Sequence, residues 1–76
     1  LTRPEALTER EHEVLLLLAN GYSNRVIATT LQLGTETIKT HVANILGKLQ
    51  ASQRTHAVVV ALKHGLIALD DIMMHD

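Results

Sequence analysis

Glu36, Lys39 and Thr40 are spaced so that they could make hydrogen bonds to a surface lying close beside them, and Ala43 keeps the same region of the chain small. On a helix of about 100° per residue, Glu36, Thr40 and Ala43 share one side and Lys39 lies at its edge. That side offers a carboxylate, a hydroxyl and an adjacent ammonium, but little bulk. Ordinary exposed helix faces carry long Lys, Glu and Gln side chains. The pattern favours a helix that packs closely against a partner; an amphipathic helix whose outer face is small by chance is the alternative.

The opposite side of the same stretch is a continuous apolar seam. Its members fall within about one third of the helix circumference. They are Ile38, Val42, Ile45, Leu46 and Leu49. The seam predicts a helix over about 35–49 that is buried along this side and exposed along the other.

An upstream helix is predicted over about 8–19. Thr8 to Glu11 reads Thr-Glu-Arg-Glu, which is a capping box that opens a helix by satisfying free backbone N–H groups. Asn20-Gly21 is typical of a helix end.

Ser23 and Ser52 are the predicted N-caps of two more helices, at about 24–31 and 53–64. A Gln-Leu-Gly connection over 32–34 joins the shorter of these to the helix at 35–49. A short helix, a tight turn containing glycine and a second helix with a bare outer face are typical of a helix-turn-helix. The predicted fold is therefore all-α, a compact four-helix unit of the helix-turn-helix type.

Composition bounds what such a chain can be. Seventy-six residues support one small domain, and with one Tyr and no Phe or Trp its core must be aliphatic. The absence of cysteine excludes a disulfide scaffold and suits a reducing, cytoplasmic setting. No apolar run reaches the roughly 18 residues of a membrane span. Because the chain starts at Leu1 and not Met, we expect it to be a piece of a longer protein.

Charge is distributed unevenly although the net charge is only −1. The stretch from Glu5 to Glu13 carries a net charge of −3, and the stretch from Thr37 to His56 carries +3 with no acid. Asp70, Asp71 and Asp76 add to the acidic side. Affinity for nucleic acid scales with the number of phosphates neutralised, so three positive charges predict weak binding alone. If the domain binds DNA, it should need a dimer or a tethered partner.

Several motifs, in order and spacing, resemble the C-terminal DNA-binding domain of the LuxR/NarL family of bacterial transcription factors. The resemblance covers about 7–67, leaving a linker remnant at 1–6 and a C-terminal tail at 68–76. It rests on Leu7-Thr8-Glu9-Arg10-Glu11 with Val14-Leu15, Gly21-Tyr22-Ser23-Asn24 with Ile27-Ala28, Thr37-Ile38-Lys39-Thr40-His41-Val42, Asn44-Ile45-Leu46, Lys48-Leu49 and Arg54-Thr55 with Ala57.

The resemblance implies sequence-specific binding of double-stranded DNA, with the third helix in the major groove and the second across the backbone. It implies a response regulator whose N-terminal receiver or sensor domain is missing from this chain, acting as a homodimer on repeated half-sites. RNA polymerase is a further candidate partner, and no cofactor or membrane is implied. The fourth helix would form the dimer contact, through Val58, Val59, Ala61 and Leu62.

Carried over residue by residue, the family's DNA-contacting positions fall mainly on the third helix. Lys39 can reach guanine O6/N7 or a phosphate, and Thr40 offers a hydroxyl and a methyl. Ala43 departs from members with a longer polar residue, so it can offer only apolar contact. Glu36 could accept from cytosine N4, or serve only as a first-turn partner of the helix dipole. The other candidate contacts are Asn44, Ser23, Asn24, Lys48 and Arg54.

Three other classes of function compete with this interpretation. Five histidines invite a metal or acid–base enzyme, but no pair has the i, i+4 ligand spacing and no Cys supplements them. A promoter-reading sigma-factor domain shares the opening motif and a similar helix-turn-helix, whereas Thr40-His41-Val42 and the Arg54-Thr55-His56-Ala57 segment favour the response-regulator type. A helical protein-interaction module without a DNA role is the third.

Overall fold

The computed structural model describes residues 6–72, and within them the chain is all-α, as predicted. A short 3-10 turn, Leu69–Asp71, follows the last helix. Residues 1–5 of the linker predicted over 1–6, and residues 73–76 of the tail predicted over 68–76, lie outside the described residues. The helices are α1 (Glu9–Ala19), α2 (Asn24–Leu31), α3 (Thr35–Leu49) and α4 (Arg54–Lys63).

Helix α3 is the centre of the fold, because it packs against each of the other three helices. Its predicted seam is confirmed: Leu46 is half-buried and the other four members are buried. With no large aromatic ring to fill space, the core consists of interlocking aliphatic side chains. Its buried members are Val14, Leu15, Leu18, Ile27, Ala28, Ile38, Val42, Ile45, Leu49, Ala57, Ala61 and Ile67.

Both ends of α1 have the predicted chemistry. The Thr8 hydroxyl accepts from the Glu11 N–H at 3.1 Å, and the Glu11 carboxylate accepts from the Thr8 N–H at 2.9 Å. At the other end Gly21 adopts φ 87°, so the chain turns and the Tyr22 N–H reaches the Leu17 carbonyl at 3.3 Å. This end fixes the direction in which α2 leaves α1.

The turn between α2 and α3 divides its work between Gln32 and Gly34. Gln32 adopts the left-handed conformation at φ 58°, whereas Gly34 is extended at φ −76° and serves as the N-cap of α3. The Leu33 N–H donates to the Ala28 carbonyl at 2.9 Å, which closes the end of α2. The strained residue of this turn is therefore a glutamine, although αL is uncommon for residues other than glycine.

The predicted cap of α4 is wrong by one residue. Gln53 occupies the N-cap position without a side-chain hydrogen bond. Ser52 instead donates its backbone N–H to Nδ1 of His56 at 3.0 Å. His56 lies in the first turn of α4, so this hydrogen bond ties the α3–α4 connection to the start of the helix.

Candidate nucleic-acid interface

The outer face of α3 is fully presented to solvent. Its six residues are all exposed, and they project from a helix whose other side is anchored in the core. We call them the outer face of α3 from here on. They are Glu36, Lys39, Thr40, Ala43, Asn44 and Gly47.

The polar side chains of this face interact only weakly with one another. Lys39 Nζ lies 3.0 Å from Glu36 Oε2, with side chains 64% and 85% exposed. Exposed pairs of this kind contribute about 0–1 kcal/mol, so the ammonium can readily exchange its partner. The Thr40 hydroxyl donates to the Glu36 carbonyl at 3.1 Å, which leaves its oxygen lone pair and methyl for outward contacts. The face can thus offer one cation, a carboxylate, a hydroxyl oxygen, the Asn44 amide and small apolar surface.

The start of α2 is tied to α4 by Arg54. The Ser23 hydroxyl accepts from the Val26 N–H at 3.3 Å and so caps α2. Asn24 Oδ1 accepts from Arg54 Nη1, and the Tyr22 carbonyl accepts from Arg54 Nη2 at 3.0 Å. Ser23 and Asn24 therefore lie where predicted, at an exposed helix N-terminus, while the Arg54 guanidinium is already engaged within the protein.

An open cleft of about 1030 Å³ joins these elements. It runs between the start of α2, the start of α3 and the first turns of α4. Arg25, Lys39 and Arg54 line it, and no Asp or Glu does. Sequence reasoning missed Arg25, although its position directly after the predicted contacts Ser23 and Asn24 was a usable signal. Three cationic side chains thus lie around one cleft beside the outer face of α3.

Lys48 lies away from this surface. Its Nζ is 2.6 Å from Glu11 Oε1, and the two side chains are only 24% and 5% exposed. The pair joins the first turn of α1 to the last turn of α3. The structure therefore gives Lys48 an internal partner where the sequence suggested a phosphate contact.

The carboxyl group of Glu11 has a perturbed pKa. Burial acts to raise it, but hydrogen bonds from Lys48 and from the Thr8 N–H, with the charge of Lys48, outweigh burial and lower the pKa of Glu11 below its ordinary value. Glu11 is thus held as a carboxylate by its surroundings. It is the one buried charged residue in the described part of the chain.

The four residues predicted for the dimer contact are not equally available. Ala61 is completely buried in the core, because it lies on the side of α4 that faces α1 and α3, and it cannot touch a partner. Val58 and Leu62 are half-buried against the core, and Val59 is 56% exposed. The apolar surface that α4 can offer is therefore centred on Val59, with Val58 beside it.

Within residues 6–72, no group of three or more His, Asp or Glu residues could hold a metal ion. None of the helices there has the length and apolar character needed to span a bilayer.

A short helix, a tight turn and a longer helix with an exposed, lean outer face define the class of protein: a helix-turn-helix domain. Comparison with known proteins gives the family. Residues 5–61 match the model for bacterial regulatory proteins of the luxR family, and the chain belongs to that family.

Relatives and solved structures agree with this assignment. The response regulator protein VraR from Staphylococcus aureus is 56% identical over 63 residues, which is 83% of this chain and 30% of VraR; VraR from Staphylococcus epidermidis matches equally. The chain thus spans about a third of the length of these relatives. The structure of the transcription factor GerE superposes with a TM-score of 0.78 at 36% identity, covering 84% of this chain and 96% of GerE.

A second solved structure extends the comparison. VqmA from Vibrio cholerae, described as a dimer of a LuxR-type receptor, superposes with a TM-score of 0.76 at 28% identity over 90% of this chain and 29% of VqmA. Family, relatives and structures together make this chain a DNA-binding domain of a transcription regulator, and not an enzyme. The resemblance stated from the sequence is confirmed at this level, and the enzyme and sigma-factor alternatives are set aside.

Proposed function

We propose that this domain reads double-stranded DNA by placing the outer face of α3 in the major groove, with the start of α2 against the phosphate backbone. The observation that carries the proposal is the exposure of that face, which has small side chains and one loosely paired cation, Lys39. A face of this kind lets the helix backbone approach base edges closely, as groove recognition requires.

Roles within the interface follow from the neighbouring groups. Lys39 exchanges Glu36 for guanine O6/N7 or a phosphate, and Thr40 and Ala43 contribute a hydroxyl and methyl groups. Arg25 and the start of α2 contact phosphate, because a cation and a helix N-terminus both favour an anion. Asn44 remains at the edge of the face, where contact depends on the tilt of α3 in the groove.

The whole protein is proposed to be a bacterial response regulator, cytoplasmic, with this domain over about 7–67 as its C-terminal effector and a receiver or sensor domain before it. Support comes from the likeness to VraR, whose name describes a response regulator. RNA polymerase is the proposed partner at the promoter.

The test of the interface is an NMR titration of the isotopically labelled chain with a duplex recovered from a random pool by selection on the same chain. Amide shifts should concentrate on Lys39, Thr40 and Ala43 and at the start of α2. The amides of Glu11 and Lys48, which pair with each other away from this cleft, should stay unshifted. Shifts concentrated on the outer side of α1 would contradict the proposed orientation.

Dimerisation on DNA is proposed to use the Val58–Val59 surface of α4. Val59 supports this proposal because it is a large exposed apolar side chain on a helix. Val59 also lines the cleft beside the outer face of α3, so the test removes its apolar surface without adding charge: Val59→Ser should weaken binding to a duplex with two half-sites more than binding to a single half-site. Leu69→Ser, at a 73% exposed leucine outside α4, is the matched control. Equal effects of the two substitutions would argue against α4 as the dimer surface.

A further inference from the structure

The Arg54 guanidinium bridges two acceptors that are far from it in sequence. Nη1 donates to the Asn24 side chain and Nη2 to the Tyr22 carbonyl at 3.0 Å. The first partner is the first residue of α2, and the second lies in the turn that leads into α2. A planar guanidinium fork fits two acceptors on one side at once, which a single ammonium cannot do with the same geometry.

This bridge links two helices that have little other direct connection. The substantial helix pairs are α1 with each of the other three, and α3 with α2 and α4; α2 and α4 are not among them. The first residue of α4 therefore ties the start of α2 to α4 directly, in addition to the indirect connection through α1 and α3.

Arg25, which lines the same cleft, differs from Arg54 in its exposure and in its contacts within the protein. It is exposed, and no ion pair joins it to a carboxylate within residues 6–72. Arg54 is half-buried and already satisfies two acceptors. Of the two arginines that flank the start of α2, only Arg25 can meet a phosphate without giving up contacts within the protein.

We propose that Arg54 is a positioning residue for DNA binding: it holds the start of α2 in register with α3 and α4 through Asn24 and Tyr22, and it does not itself neutralise a phosphate. This replaces the phosphate contact that its charge suggested in the sequence. The inference rests on the proposed function, since it concerns the same interface.

The test measures affinity against salt concentration for the chain and a fluorescent duplex obtained by selection on the wild-type chain. Arg25→Gln should reduce the slope of log K against log salt by about 0.9, the value for one lost phosphate contact. Arg54→Lys conserves charge, and it should lower affinity about tenfold with the slope unchanged, because no phosphate contact is lost. Lys63→Gln, about 14 Å along α4, is the surface-charge control.

Asn24→Ala supplies the coupling measurement. Asn24→Ala and Arg54→Lys interrupt the same bridge, so the double variant should bind as the weaker single variant does. Melting temperatures are recorded for each variant, and binding is measured well below them.

Three outcomes would overturn the inference. Wild-type affinity in Arg54→Lys, with a slope reduced by about 0.9 in Arg54→Gln, would make Arg54 a direct phosphate contact. A lowered melting temperature with wild-type affinity would make the bridge structural only. Losses that multiply in the double variant would show that Asn24 and Arg54 act independently. If the wild-type chain itself shows no salt-dependent binding, the proposed function fails instead.

Discussion

Two lysines of helix α3, one near each end, pair with glutamates, and the two pairs differ in exposure to solvent and in the helices that they join. Lys39 and Glu36 are 3.0 Å apart on the outer face, with side chains at least 64% exposed. Lys48 and Glu11 are 2.6 Å apart, with side chains 24% and 5% exposed. The first pair lies within one turn of one helix, whereas the second joins α3 to α1. The same two residue types therefore form an exposed, weakly held pair at one end of α3 and a buried link to α1 at the other.

Exposure to solvent accounts for the difference between the two lysine–glutamate pairs. Water screens the outer pair, so Lys39 loses little when it leaves Glu36 for a ligand. Glu11 is out of water, and removal of its cation leaves a carboxylate that neither solvent nor another side-chain cation can stabilise. Of these two lysines, only Lys39 can change its partner with little loss of stability.

The largest expected effect is on stability, at the inner pair. Lys48→Met should lower the free energy of unfolding by about 2–3 kcal/mol, somewhat less than for a fully buried pair because Lys48 is partly exposed. Urea unfolding followed by circular dichroism measures this. The matched control is Lys39→Met, which should change stability by no more than about 0.5 kcal/mol. Equal losses in the two variants would remove the distinction between the pairs.

The sequence predicted local features well and distant partners poorly. The capping box at Thr8 and the seam through Ile38 and Ile45 depend only on neighbours in the chain, so the pattern sufficed. The partner of Lys48 is 37 residues away and that of Arg54 is 30 residues away, and only the packed fold brings them together.

One local expectation failed. Ser52 has the residue type of a cap, yet the imidazole of His56 takes its N–H. Propensity alone does not identify which of several nearby polar groups will complete a turn.

The inner pair should also make stability depend on pH. The pKa of Glu11 is lowered in the folded chain, so its contribution is fully present above the ordinary value of 4.5 and is lost as pH falls through the folded value. We expect the stability difference between wild type and Glu11→Gln to be largest above about pH 5 and to shrink in acid. The stability difference is measured from the unfolding free energies of both proteins between about pH 3 and about pH 7. A stability difference that grows as the pH falls would contradict the predicted direction of the pH dependence.

The smallest effect is expected at the outer acid. Glu36→Gln removes a carboxylate that repels phosphate and competes for Lys39, so affinity for DNA should rise about two- to fivefold, or under 1 kcal/mol. Stability should fall by about 0.5 kcal/mol, because Glu36 also lies in the favourable first turn of α3. Fluorescence anisotropy with the selected duplex measures the gain. A loss of affinity confined to one base position would instead make Glu36 a reader of cytosine.

The most direct test of recognition by the outer face of α3 is the affinity of Lys39→Ala for the selected duplex across salt concentrations. We predict a loss of about 1–3 kcal/mol in binding free energy, from the lost contact to guanine or phosphate, with the fold as stable as wild type. Unchanged affinity at every salt concentration would contradict the account.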